Sequence, residues 1–161
     1  MRLVGFCLCV VLMSGCHAPT DEAPRDLPKE LPQQIADRMA AQEASWSAGD
    51  ISQFMALAYM PSDSLLFVGS RGLTQGYEVV LENYKTSYPS GAEMGQLSFE
   101  NLLWQPLAPE VGLLIGKWHL ARADEPLNSE ASLQDLSGHY SLVWKWFGEE
   151  RGWLIVADHS S

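Results

Sequence analysis

The run Trp46-Ser47-Ala48-Gly49-Asp50-Ile51-Ser52-Gln53-Phe54 holds a helix end, a turn and a second helix start. Gly49 takes the left-handed conformation that closes a helix at little cost. Asp50, with Gln53 three places on, is the acidic form of a capping box, which satisfies amides left open at a first turn. Working back, Ile35, Met39, Gln42 and Trp46 recur at steps of three and four, so they share one stripe of a first helix. Working forward, Ile51, Phe54, Met55 and Ala58 form the inner face of the second. Pro61-Ser62-Asp63 turns the chain, and Ser-Leu-Leu-Phe-Val-Gly at 64–69 predicts a strand. Gly72 and Gly76 bracket a short connection. Residues 77–88 predict a third helix with Tyr77, Val80, Leu81, Tyr84 and Tyr88 on one side, stopped by Pro89.

The remainder predicts sheet. Residues 94–107, 111–123, 138–147 and 153–160 are separated by turn-rich pieces such as Ala108-Pro109-Glu110. Helices come first and antiparallel strands last, so the fold class is α+β. With hairpins closed at Ala108-Pro109 and around Glu150, strand alternation divides two faces. Gln96, Ser98, Glu100, Lys117, His119, His139, Ser141 and His159 share one, toward solvent or a second subunit. Leu97, Phe99, Trp118, Leu120, Tyr140, Leu142, Trp144, Leu154, Val156 and Asp158 share the other, toward the helices. One bulge would exchange part of this assignment.

The amino end carries its own signal. Arg2 is followed by an unbroken apolar run and then Met13-Ser14-Gly15-Cys16. The layout is that of a secretory signal, and the run is short of the roughly 20 apolar residues that span a bilayer. Ser14-Gly15 before Cys16 resembles the bacterial lipobox, with Met13 in the place usual for leucine. That resemblance implies cleavage before Cys16 and lipid on its thiol. Cys7 and Cys9 leave with residues 1–15, so the mature chain relies on packing, without a disulfide. Residues 16–32 carry Pro19, Pro24, Pro28 and Pro32 among charged residues and predict an extended tether. Residues 33–161 form the domain. Because His17 and not aspartate follows Cys16, the expected place is the periplasmic face of an outer membrane. The net charge of −10 argues against nucleic acid as a partner.

The order of these pieces resembles the nuclear transport factor 2-like superfamily, which includes ketosteroid isomerase and the SnoaL polyketide cyclases. The carrying residues are Trp46-Ser47-Ala48-Gly49-Asp50, the strand at 64–69, the third helix and the four long strands. Gly116-Lys117-Trp118-His119-Leu120 and the ending Trp153 to Ser161 resemble an uncharacterised branch of secreted SnoaL-like domains. The resemblance implies a curved sheet wrapped round three helices, a cone with a pocket, and pairing of two copies through the sheet. The isomerase's catalytic aspartate falls near Val68, Gly69 and Ser70, and its first-helix tyrosine near Gln42, so that mechanism is not carried over.

Candidate site residues follow from the faces. Gln42, Trp46, Tyr59, Tyr84, Trp118 and Tyr140 are expected to line the cone. Asp158, on the core-facing parity, and His159 are the candidate acid or base; a carboxyl buried against aromatic rings has its pKa raised. Asp158 satisfying a hydrogen bond in a mixed core is the plainer alternative. His119, His139 and His159 share a face without close metal-ligand spacing and are read as surface or interface residues. Arg71, beside the glycine-rich connection, would meet a ligand carboxylate or form a surface ion pair. The sequence holds no nucleophile motif, phosphate loop or paired metal motif, so no cofactor is expected. Three functions stay open: a module binding a small apolar or aromatic molecule, a homodimerising assembly domain, and an acid–base enzyme.

Overall fold

The computed structural model describes residues 29–122 and 134–161. The expected signal peptide, Cys16 and most of the tether lie outside the described residues. Two helices open the domain, α1 (Gln33–Ser47) and α2 (Ile51–Ala58). The buried residues of α1 are Ile35, Met39, Gln42 and Trp46, and those of α2 are Ile51, Phe54, Met55 and Ala58, as the periodicity predicts. The junction is capped on one side only. Asp50 Oδ1 accepts the Gln53 amide at 2.8 Å, while the Asp50 amide bonds back to the Ser45 carbonyl at 2.9 Å instead of to the Gln53 side chain.

Next come β1 (Leu66–Gly69) and β2 (Gly72–Gln75). The segment read as a short connection is thus a second strand, hairpinned onto β1 with Gly69 opposite Gly72. Its four residues, Gly-Leu-Thr-Gln, show little alternation of apolar and polar, and pairing with β1 rather than local propensity makes them extended. α3 (Tyr77–Ser87) follows, and then a single turn, α4 (Gly91–Met94). Met94 was expected to begin a strand; it ends this turn instead and is buried, with Gly95 at φ 64 redirecting the chain.

Four long strands complete the chain: β3 (Gln96–Ala108), β4 (Val111–Arg122), β5 (Gln134–Trp146) and β6 (Trp153–Ser160). They form a six-stranded sheet in the order β2-β1-β6-β5-β4-β3, antiparallel except where β1 lies parallel to β6. The sheet is curved and open.

Register shifts decide which residues face inward. In β3 the pairing slips between Asn101 and Leu103, leaving Leu102 extra, and again between Pro106 and Ala108, leaving Leu107 extra. In β6 Val143 pairs Ala157 but Trp144 pairs Ile155, so Val156 is extra. Asp158 faces inward as expected, beside Leu142. Below the bulge the parity inverts: Ile155 is fully buried in the core cluster, whereas Leu154 and Val156, assigned to that face from the sequence, do not belong to it. A single added residue on a strand flips every side chain beyond it.

Glycines let rings lie against the sheet. Gly116 sits under the Tyr140 ring and Gly112 under Trp104; a methyl at either would overlap the ring. Edge strand β3 is also tied to a helix. Glu43 accepts the amide of Phe99, and Ser47 Oγ accepts the Leu97 amide at 3.2 Å. These i, i+4 side chains of α1 satisfy donors that an edge strand would otherwise present to another chain.

Candidate functional site

Between the helices and the inner face of the sheet lies a cavity of about 490 Å³. Its size falls in the range of roughly 300–1,000 Å³ typical of small-molecule sites. Nine of the residues on its wall are aromatic. Trp46 meets Phe54, Tyr84 and Tyr88 edge-on at ring separations of 5.1, 5.8 and 4.8 Å, and Phe67 meets Tyr84 at 5.6 Å. Such edge-to-face contacts each add about 0.5–1.5 kcal/mol beyond area burial, so the rings brace one another and the wall stays open.

Six residues expected to line the cone, Gln42, Trp46, Tyr59, Tyr84, Trp118 and Tyr140, all border the cavity, and so does Asp158. His159 does not. It is exposed on the other face, one position along β6, so its proposed acid–base role inside the cone has no geometric basis. His119 and His139 are exposed with it, and cross-strand pairing sets Ser137 opposite His119 and Lys117 opposite His139. Among the described residues no group of three or more His, Cys, Asp or Glu side chains is placed to hold a metal ion.

Asp158 is the chemical centre of the wall. It is 4 % exposed. Tyr59 donates its hydroxyl to Asp158 Oδ2 at 2.6 Å, and Ser160 donates to Oδ1 at 2.6 Å. Burial pushes the carboxyl from 3.8 up to about 6, against the pull of the Ser160 and Tyr59 bonds and the neighbouring His159. Tyr59 follows the end of α2 and is held by pairing with Ile155 of β6, which brings it alongside Asp158. Burial, with Asp158 and Tyr84 adding to it, holds the Tyr59 phenol well above its ordinary value. Burial does the same to Tyr84, followed by the Asp158 charge. Both stay protonated at neutral pH, so the wall presents two neutral phenols beside one titratable carboxyl.

Three further polar side chains on the wall are engaged. Gln42 donates to the Phe54 carbonyl at 3.0 Å, which explains a polar residue on the α1 stripe. Trp46 donates to the Met94 carbonyl at 2.8 Å. Tyr140 donates to Asn101 Oδ1 at 2.6 Å, and burial raises its pKa. The Trp118 indole nitrogen is buried without a hydrogen-bond partner among the described residues.

Sequence reasoning passed over Phe67, Asn83 and Ser160 on the cavity wall. Ser160 carried a readable signal, since it stands two residues from Asp158, within reach for a local side-chain bond. Phe67 and Asn83 gave none, because the place of Phe67 depends on β1 lying beside β6 and that of Asn83 on α3 packing over β2.

Solved structures share this architecture. A protein of unknown function from Shewanella oneidensis, described as NTF-2 like, superposes with a TM-score of 0.69 at 24% identity, covering 80% of this chain and 97% of that one. A nuclear transport factor 2-like superfamily protein from Salmonella enterica gives 0.61 at 19%, covering 80% and 88%. A ketosteroid isomerase-like protein from Erwinia carotovora gives 0.57 at 13%, covering 80% and 93%. No family model and no curated protein matches the chain. The protein has the nuclear transport factor 2-like fold, an α+β cone built on a curved antiparallel sheet.

Proposed function

We propose that this is a small-molecule-binding domain of the SnoaL-like kind, held at the bacterial envelope by lipid on Cys16. The observation that carries the binding reading is an aromatic cavity of about 490 Å³ with one hydrogen-bonded carboxyl on its wall. An apolar or aromatic ligand gains by leaving water for such a wall, and the few polar groups fix its orientation. The envelope reading rests on the sequence through Cys16, and the secreted branch on the ending Trp153 to Ser161. Mass spectrometry of organic extracts from the protein purified from its own cells tests the binding reading. A stoichiometric small molecule is expected in wild type and lost in Leu120→Trp, whose ring would occupy the cavity. Extracts with no bound molecule, together with no thermal stabilisation by any apolar compound tried, would refute it. Metabolic labelling with a palmitate analogue, lost in Cys16→Ser, tests the anchor.

A second reading, acid–base chemistry at Asp158, is favoured by one observation: a carboxyl with a pKa of about 6 on the wall of the cavity. Such a group exchanges protons readily near neutral pH. It predicts turnover of a bound ligand that Asp158→Asn abolishes while binding persists; binding without turnover sinks it.

A homodimer through the outer sheet face is proposed beside either reading. Leu103 of β3 is 54% exposed and lies opposite Ile115, on the face turned from the helices. Sedimentation showing only monomer at high concentration would refute it.

A further inference from the structure

The cavity wall carries two polar features of different character, and this defines a ligand class within the small-molecule reading, on which the inference rests. Deep in the wall is Asp158, bonded to Tyr59 and Ser160. Further along the wall stands Arg71, in the two-residue turn between β1 and β2. It is the one cationic side chain among the described residues lining the cavity.

Arg71 reaches from this turn toward α3. One guanidinium nitrogen, Nη2, donates to Ser87 Oγ at 2.9 Å and to the Asn83 carbonyl at 3.5 Å. Both partners are neutral, and no carboxylate pairs with Arg71 among the described residues. A guanidinium carries five N–H donors in a planar fork, so donors remain for an anion. The contacts to α3 hold the fork in place, which lowers the ordering cost of binding.

Register gives the separation of the two features. Phe67 pairs Asp158, and Arg71 lies four residues further along the chain past the end of β1. At about 3.3 Å per strand residue, less the bend of the turn, they are on the order of 10 Å apart. Between them stand the rings of Phe67, Tyr84, Trp46 and Phe54. A ligand anion beside Asp158 would meet a carboxyl of its own sign in a low-dielectric wall, whereas at the turn it meets an unpaired cation.

We propose that the cavity takes an amphipathic organic acid, its carboxylate at Arg71, its apolar body of about 10 Å among the rings, and a hydroxyl or carbonyl, where present, at Tyr59 and Asp158. Charge orients the ligand, and the rings supply most of the affinity.

The test uses the full-length protein and two probes of matched shape, 2-naphthylacetate and the neutral 2-naphthaleneethanol, titrated by calorimetry at pH 7.5. Wild type is expected to bind the acid about tenfold or more tighter than the alcohol, the worth of charged hydrogen bonds. Arg71→Gln should weaken the acid at least about tenfold and erase that preference. Arg71→Lys, which keeps the charge and loses the fork, should retain part of it. Arg71 is exposed, so folding is expected to survive, and circular dichroism checks this. Equal wild-type affinity for the two probes, or a preference unchanged in Arg71→Gln, overturns the proposal and leaves the binding cavity standing. If neither probe binds wild type, the cavity reading falls and this inference with it.

Discussion

Asp158→Asn should stabilise the protein at pH 8 and leave it nearly unchanged at pH 4. The folded-state pKa of this carboxyl stands at about 6 against an ordinary 3.8, with burial the main cause. A raised acid pKa means that the folded chain keeps its proton in a window where the unfolded chain has released it. Below 3.8 both states are protonated and the favourable contribution is fully present. It is lost progressively as pH rises from 3.8 through about 6, and above that both states are ionised. A displacement of about two pH units at 1.36 kcal/mol per unit amounts to about 3 kcal/mol. Asparagine keeps an acceptor for Tyr59 and offers its amide N–H to Ser160 Oγ, so it reproduces the neutral acid at every pH. Urea unfolding followed by tryptophan fluorescence, run on both proteins from pH 4 to pH 8, reads the difference directly. The gap should open from near zero to about 3 kcal/mol, a rise in Tm of roughly 10 °C at the alkaline end. A gap that stays flat across this range, or a wild type more stable than the variant at pH 8, would refute the reasoning. Other carboxyls titrate in both proteins and cancel. A residue that lowers stability at neutral pH, beside an open cavity, is the kind of group that function retains.

Three further outcomes follow from the same geometry. Tyr59→Phe removes the donor to Asp158 Oδ2, so the carboxyl should titrate above 6 by carbon-detected NMR and stability at pH 8 should fall by about 1–3 kcal/mol. Asp50→Ala strips the cap of α2 and should cost about 1 kcal/mol in urea unfolding, with the cavity unaffected. Gly116→Ala sets a methyl against the Tyr140 hydroxyl and the Glu100 carbonyl, and should cost about 1–3 kcal/mol as the ring is displaced from its bond to Asn101.

The helices were legible because each buries one stripe, and a stripe is a local repeat. Every residue of the α1 and α2 stripes read from the sequence is buried. The long strands were legible for the same reason, through alternation. β2 was not, since Gly72 to Gln75 becomes a strand only by pairing with β1. Nor were the bulges: Leu102 and Val156 carry no local mark of being the unpaired residue, and the extra place is set by how the sheet bends round the helices. Leu154 and Val156 were therefore assigned to the wrong face, while Asp158, beyond the bulge, kept its place.

The sequence by itself determined the α+β class, the inward faces of two helices and of most of the sheet, and the aromatic supply of the wall. Each follows from periodicity or composition within a short window. Only the tertiary structure decided that Tyr59 bonds to Asp158, 99 positions away, and that Arg71 lines the same cavity. Those placements hang on the parallel pairing of β1 with β6, an arrangement between segments about 90 residues apart that no local pattern encodes.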